Sequence, residues 1–226
     1  MIHVQDPLEL TMGPVARAIR RRHILDERVL VPNLVGVRSM VTSANPDDPF
    51  ASQTGRWDDY IGVVWNDGII WHEHLFCGTT DPGRVTNRPG ERGTAVMKPG
   101  QYVRAYKPGL HRGSPALVNW GLCAPSYWRV RRVPGETPAV VAHGDEYIGL
   151  NIHRARGEGE PVPVEVGPYS AGCQVIKDHD DWEQFFERVL DLYEKARDLH
   201  DMKYMTYTLI LTTDVAHTPR PQGEQT

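Results

Sequence analysis

The chain has 226 residues, with 25 Lys and Arg against 29 Asp and Glu, and its formal net charge is −4. This composition is typical of a globular domain and excludes collagen-like, coiled-coil and wholly disordered chains, which have strongly biased compositions. The slight acidity argues against a dedicated nucleic-acid-binding protein. We therefore expect no nucleic-acid partner. No window approaches the roughly 18 apolar residues of a membrane-spanning helix, so we also expect no membrane span.

The N-terminal segment predicts one short helix. Pro14 suits the first helical position, and Val15, Ala16 and Ile19 share one side of the helix. Because no basic start precedes an apolar run, we expect synthesis in the cytoplasm without a signal peptide. Along the chain we expect a helical N-terminal appendage (1–32), a single domain (33–213) and a disordered polar tail (214–226).

Most other elements are predicted strands. An Asp67-Gly68 pair between two apolar runs indicates a tight hairpin turn, because these residues tolerate positive φ. A single long helix follows, capped by Asp178 or Asp180. Many short strands and one late helix, without β-α alternation, predict a mostly-β or α+β domain. The predicted strands are 33–40, 60–65, 69–76, 94–97, 101–106, 116–120, 127–133, 146–153 and 204–211.

The main chemical signal is a histidine and a cysteine separated by a Gly/Pro-rich loop. His153 ends a predicted strand, and Cys173 follows a Ser-x-Gly turn and precedes the long helix. A cysteine is a nucleophile only as its thiolate, so it needs a base or a positive partner, which His153 would supply. Gly172 permits a sharp turn, and the N–H groups around Gly172 and Cys173 would face a developing oxyanion. An inert, packed thiol is the alternative interpretation.

This arrangement resembles the catalytic domain of the L,D-transpeptidase family (YkuD-like), in which a strand-borne His and a loop precede Ser/Thr-His-Gly-Cys. The 16 residues 154–169 between His153 and Ser170 fit that spacing. A second resemblance, to uncharacterised phage and bacterial proteins with a Ser-Ala-Gly-Cys-Gln motif, extends over residues 33–212. It is carried by segments 35–39, 79–83, 109–113, 151–154 and 170–174.

The resemblance implies a β-rich catalytic fold without a cofactor and a cysteine peptidase or transpeptidase activity on peptidoglycan stem peptides. Cys173 would attack the carbonyl of an L-to-D bond and form an acyl-enzyme, while His153 would take and return the proton. An amine acceptor gives cross-linking and water gives hydrolysis. Without a signal peptide, we expect a hydrolase such as a phage endolysin or a virion-associated enzyme, which reaches the cell wall when released.

Neighbouring residues complete the candidate site. Ser170 would orient His153 or Cys173, or would only form a turn before Gly172. His111 lies in a turn that would line the groove, where it would bind a substrate carboxylate or assist the base. The candidate substrate-binding residues are His111, Arg112, Arg154 and Tyr169.

Two positions depart from the family motif. Ala171 stands where the family has His, which removes a supporting group of the family site. Gln174 stands where the family has an Arg or Asn close after the cysteine, which removes the usual partner of the substrate carboxylate. The proposed nucleophile Cys173 and base His153 remain.

Two further hypotheses use other features. His72 and His74 share one face of a strand, and His-x-His is a zinc-binding geometry, so a zinc-dependent peptidase or amidase would take a third ligand from Asp81, His111 or His143. The simpler interpretation places both histidines on the exposed face of a hairpin. The last hypothesis is a non-catalytic structural or wall-binding module on the same fold, with an unreactive thiol.

Overall fold

The computed structural model describes residues 10–39, 49–50, 55–83, 91–133 and 135–216. The mostly-β, α+β class predicted from the sequence is confirmed. In the described residues, no helix has the length and apolar character needed to cross a bilayer. The described helices are α1 (Pro14–Arg22), α2 (His179–His200) and α3 (Thr212–Ala216). The described strands are β1 (Asn33–Arg38), β2 (Asp59–Asn66), β3 (Trp71–Thr79), β4 (Thr94–Met97), β5 (Gly100–His111), β6 (Ser114–Asn119), β7 (Tyr127–Arg131), β8 (Ala139–Gly144), β9 (Ile152–Arg154), β10 (Gln174–Ile176) and β11 (Met205–Leu211).

The larger sheet closes into a barrel in the order β1-β11-β5-β6-β9-β10-β3-β2. The β1–β11 and β9–β10 neighbours are parallel, and the other neighbours are antiparallel. The predicted β2–β3 hairpin is confirmed, with Gly68 at φ +93° in its turn. The barrel interior forms the main hydrophobic core, where fully buried Leu34, Ile61, Tyr106 and Tyr207 pack together.

The second sheet has the strand order β4-β7-β8. The sequence predicts strands on either side of the Lys98-Pro99-Gly100 turn, and the structure places these strands, β4 and β5, in different sheets. The sequence pattern also gives no sign of β8, because nearly all of its side chains are exposed and its residues do not alternate between apolar and polar.

Helix α2 packs across the barrel, as its apolar spacing predicts. Asp178 is its N-cap and accepts hydrogen bonds from the backbone N–H groups of Asp180 and Asp181. The cap therefore fixes where the helix begins, a few residues after the cysteine motif. The buried side of the helix is formed by Trp182, Phe185, Val189, Leu192 and Ala196.

Helix α1 is docked against the barrel. The Glu73 carboxylate accepts a hydrogen bond from the Ala16 backbone N–H at 2.6 Å, which satisfies a free donor at the start of the helix. Its buried residues pack with Val35 and Ile210 of the barrel strands. Residues 214–216 end helix α3 and are not part of a disordered tail, because Asp214 is buried and accepts from the Leu211 N–H. Residues 217–226 lie outside the described residues.

Candidate active site

The barrel brings the histidine and the cysteine to neighbouring strand ends. Strands β9 and β10 are parallel partners, with Gln174 opposite Ile152 and Val175 opposite His153. Cys173 stands immediately before β10, so it lies next to the strand that carries His153. Two details correct the sequence analysis: Cys173 precedes a short strand and not the long helix directly, and the strand predicted over 146–153 is limited to Ile152–Arg154.

The site gathers two imidazole rings and one thiol. One ring nitrogen each of His111 and His153 and the Cys173 sulfur lie within 4.8 Å of one another. His153 Nδ1 lies 2.8 Å from the Arg154 carbonyl oxygen. Because a carbonyl oxygen only accepts, Nδ1 carries the proton and the basic lone pair of the neutral ring is on Nε2. The Arg154 main chain therefore fixes the tautomer that a general base needs.

Both members of the pair are uncharged in the resting site. Burial lowers the pKa of His153 to about 4, although the Arg154 carbonyl acts in the opposite direction. Burial also raises the pKa of the Cys173 thiol, while the Asn151 backbone N–H and Arg112 act to lower it. The thiol donates to the Gly149 carbonyl oxygen at 3.4 Å. The site therefore holds a neutral thiol beside a neutral imidazole, not a thiolate–imidazolium ion pair.

The turn before the cysteine is fixed by Ser170. This buried hydroxyl donates to the Cys173 carbonyl oxygen at 2.7 Å and accepts the Gly172 N–H at 3.2 Å. Gly172 has φ +127°, and a Cβ there would meet the Ala95 carbonyl oxygen at 2.7 Å. Of the two N–H groups expected to face an oxyanion, that of Gly172 is therefore engaged within the turn by Ser170 Oγ. Ser170 thus acts as a positioning residue within the turn.

Gln174 joins the cysteine turn to the barrel core, a link the sequence analysis missed. Its Oε1 accepts a hydrogen bond from the Tyr207 hydroxyl at 2.9 Å. Its Nε2 donates to the carbonyl oxygens of Thr80 and Gly172, each at 3.4 Å. Gln174 and Tyr207 are both fully buried. The residue that departs from the family motif is therefore a structural link here and does not face the groove.

Asn151 is a second residue that the sequence analysis did not select. Its Oδ1 accepts the Asn119 backbone N–H at 2.9 Å, and its Nδ2 lies 2.8 Å from His111 Nδ1. The sequence held a signal for it, because Asn151 and His153 are two residues apart and share one face of an extended segment. This spacing alone assigns no role to Asn151, because its partner His111 is 40 residues away in the chain.

The predicted substrate-binding residues share one groove of about 700 Å³ with the Cys173 and His153 side chains. Arg154 pairs with Glu183 at 3.4 Å, and the Arg156 guanidinium lies 4.9 Å from the centre of the Tyr169 ring. Arg156 also pairs with Glu160 at 4.0 Å, but four arginines against one glutamate line the groove. The groove is therefore more positive than the chain as a whole, whose net charge is −4, and this favours anionic ligands. The charged residues that line it are Arg112, Arg129, Arg154, Arg156 and Glu160.

The two histidines of the zinc hypothesis make contacts of another kind. His72 stacks on Trp65 with ring centroids 4.8 Å apart, and its Nε2 lies 2.8 Å from an oxygen of Asp67. His74 meets the edge of the same indole at 4.9 Å. Within the described ranges, one group of three side chains could hold a metal ion, formed by His111, His153 and Cys173. Neither His72 nor His74 belongs to it.

No family model, curated protein or solved structure matches this chain.

Proposed function

We propose that this chain is a cysteine peptidase or transpeptidase that acts on peptidoglycan stem peptides through an acyl-enzyme on Cys173. The observation that carries the proposal is the relation of Cys173 to His153. A ring nitrogen of His153 lies within 4.8 Å of the sulfur, and the Arg154 carbonyl keeps the lone pair on Nε2. A nucleophile beside a base that a third group orients is the arrangement that acyl transfer requires.

The chemical steps follow from the two neutral groups. His153 Nε2 takes the thiol proton as Cys173 Sγ bonds to the carbonyl carbon of the scissile amide. The C–N bond then breaks, and the protonated His153 returns the proton to the departing amine. The resulting thioester is attacked by water, which gives hydrolysis, or by an amine, which gives a new cross-link. In either case the sulfur leaves as the thiol.

The charge of the groove supports this class of substrate. A stem peptide carries a carboxylate that enzymes of the resembled family recognise. Arg112 is exposed with φ +50°, and it lines the groove beside the candidate nucleophile. A guanidinium group binds carboxylates through paired hydrogen bonds. The motif resemblance points to the same substrates independently of charge.

A non-catalytic module is the second candidate, and the same burial favours it. Burial shifts the pKa of Cys173 upward and that of His153 downward, so the resting thiol is weakly nucleophilic. Such a protein would bind wall peptides in the groove and form no covalent adduct. The two candidates differ in one measurable event, the appearance of an acyl group on Cys173.

The test is mass spectrometry of the full-length chain with synthetic tri-, tetra- and pentapeptide stems and with cross-linked muropeptides. We expect turnover by the wild type and an acyl adduct on Cys173, and loss of both in Cys173→Ala and in His153→Ala. Cys123→Ala is the matched control, because Cys123 is another half-buried free thiol, and it should keep wild-type turnover. Unchanged turnover in Cys173→Ala, or no adduct and no turnover in the wild type, contradicts the proposal.

A further inference from the structure

The orientation of the Asn151 side chain is fixed by the main chain of β6. The Asn119 backbone N–H donates to Asn151 Oδ1 at 2.9 Å, and both residues are buried. A backbone N–H has no lone pair to offer, so the amide atom facing it must be the carbonyl oxygen. The other end of the side chain is therefore the NH2 group, which can only donate.

This NH2 group determines where His111 carries its proton. Asn151 Nδ2 lies 2.8 Å from His111 Nδ1, so Nδ1 must present a lone pair. A neutral imidazole has one proton, which is therefore on Nε2. A protonated ring would place two donors against each other. The chain Asn119–Asn151–His111 thus selects one form of the ring, neutral with an Nε2–H.

The ring so fixed lies at the reacting centre. His111 is the last residue of β5, lines the groove and stacks on His153 with ring centroids 4.7 Å apart. Burial, and then the Arg112 charge, lower the pKa of His111, which agrees with the neutral form. A ring nitrogen of His111 also lies within 4.8 Å of the Cys173 sulfur.

We infer that His111 is a neutral hydrogen-bond donor that uses Nε2–H to stabilise the oxyanion formed when Cys173 attacks a carbonyl. This role rests on the proposed function. It would supply a side-chain donor where one of the two expected backbone donors, the Gly172 N–H, is already bonded to Ser170 Oγ. A donor held in place before the reaction is worth far more than one that must reorient.

The tautomer is tested without reference to catalysis. In the ¹⁵N-labelled full-length chain, long-range ¹H–¹⁵N NMR should show His111 with bare Nδ1 and protonated Nε2 at pH 7. Asn151→Asp replaces the donor with a carboxylate, which accepts from both sides, so His111 should then carry a proton on Nδ1. An Nδ1–H or imidazolium form in the wild type, or an unchanged tautomer in Asn151→Asp, overturns the inference.

The oxyanion role is tested with the stem tetrapeptide as substrate. Loss of one such donor lowers kcat by about 10²-fold, which we expect in His111→Ala. His111→Gln keeps a side-chain N–H and should recover part of this loss, while KM changes little in both variants. Equal losses in the two variants, or an effect on KM alone, overturn the role. Absence of wild-type turnover overturns the proposed function and the oxyanion role together, while the NMR result still decides the tautomer.

Discussion

The imidazole of His111 stacks on that of His153, with ring planes inclined by 21°. Two stacked rings that are partly shielded from water resist protonation, because a cation there loses solvation and a second cation would be repelled by the first. Burial is the larger cause, and it lowers the pKa of His153 to about 4. The stack therefore keeps the proposed base in its working form at pH values where an ordinary histidine is protonated.

This shift predicts acid sensitivity of the fold. Between pH 6.5 and 4, His153 takes up a proton in the unfolded chain but not in the folded one. The free energy of unfolding should therefore fall as the pH falls through this window, by up to about 3 kcal/mol from this residue. Urea denaturation at pH 7 and pH 4.5 measures the change in the wild type and in His153→Gln.

Comparison with His153→Gln separates the contribution of His153 to the pH dependence from that of Asp59, which has the opposite sign. Burial, and then Asp81, raise the pKa of Asp59 to about 7, so Asp59 makes stability fall as the pH rises. This contribution is present in both proteins and cancels when they are compared. The pH dependence should be shallower in His153→Gln, and parallel profiles for the two proteins would contradict the assignment.

The second prediction concerns the reactivity of Cys173. Burial raises the pKa of its thiol, and the neighbouring His153 is not a cation at neutral pH. In a Cys77→Ala/Cys123→Ala background, we expect the iodoacetamide alkylation rate to rise with pH, with a midpoint above the ~8.5 of a free thiol. A rate that levels off below pH 7 would instead indicate a thiolate–imidazolium pair. Adding Cys173→Ala to the background gives the blank.

The sequence predicted the strands and helix whose apolar residues recur regularly, and it limited the cap of α2 to Asp178 or Asp180, of which the structure has Asp178. It missed β10, because three residues are too few to show a period. It also missed the partners of the pair, since Asn151 and Gln174 act through hydrogen bonds to residues far away in the chain. Periodicity reports which side of an element is buried, not which distant donor meets it.

The sequence did predict the pairing of His153 with Cys173. The sequence motif suggested it, and the parallel pairing of β9 with β10 brings Cys173, the residue just before β10, close to the strand that carries His153. What the motif did not contain was the charge state, because burial depends on the whole barrel. The expectation of a thiolate held by His153 therefore gives way to a neutral pair.

The third prediction tests the turn before the nucleophile. Gly172→Ala adds a Cβ that meets the Ala95 carbonyl oxygen at 2.7 Å, at a φ of +127°. Gly135→Ala is the matched control, with φ +83° and nothing within 4 Å of the added atom. Both variants carry backbone strain of about 1 kcal/mol, but only the first also forces atoms apart, at a cost of about 1–3 kcal/mol more. Equal losses of unfolding free energy in the two variants would show that the space around Gly172 is not restricted.

The fourth prediction concerns the buried link from the core to this turn. Tyr207→Phe removes the hydroxyl that donates to Gln174 Oε1 and leaves that oxygen buried without this donor. We expect a loss of about 1–3 kcal/mol in unfolding free energy. Tyr193→Phe removes a hydroxyl bonded to the Lys203 carbonyl near the surface, where water replaces it, and should cost about 0.5 kcal/mol or less. A loss in Tyr207→Phe as small as that expected for Tyr193→Phe would mean that the Gln174 link does not contribute to stability.

The last prediction uses zinc binding to determine which ring nitrogen of His111 carries the proton. In the wild type, Nε2–H leaves His111 without a lone pair facing away from Asn151, so His153 and Cys173 are the two of these three side chains that can still act as ligands. Asn151→Asp moves the proton to Nδ1 and frees Nε2, which creates a carboxylate–histidine pair of the kind that supports bound zinc. We expect zinc affinity, measured by competition with a chelating dye, to rise by about 10–100-fold in Asn151→Asp.

A double variant separates this effect from the added negative charge. Asn151→Asp combined with His111→Ala keeps the carboxylate but removes the ligand, so its zinc affinity should return to near the wild-type value. Retained tight binding in the double variant would assign the gain to charge alone. Wild-type binding as tight as that of Asn151→Asp would show that the Nε2 lone pair is already available. The hydrogen bond from Asn151 would then not hold His111 as a donor.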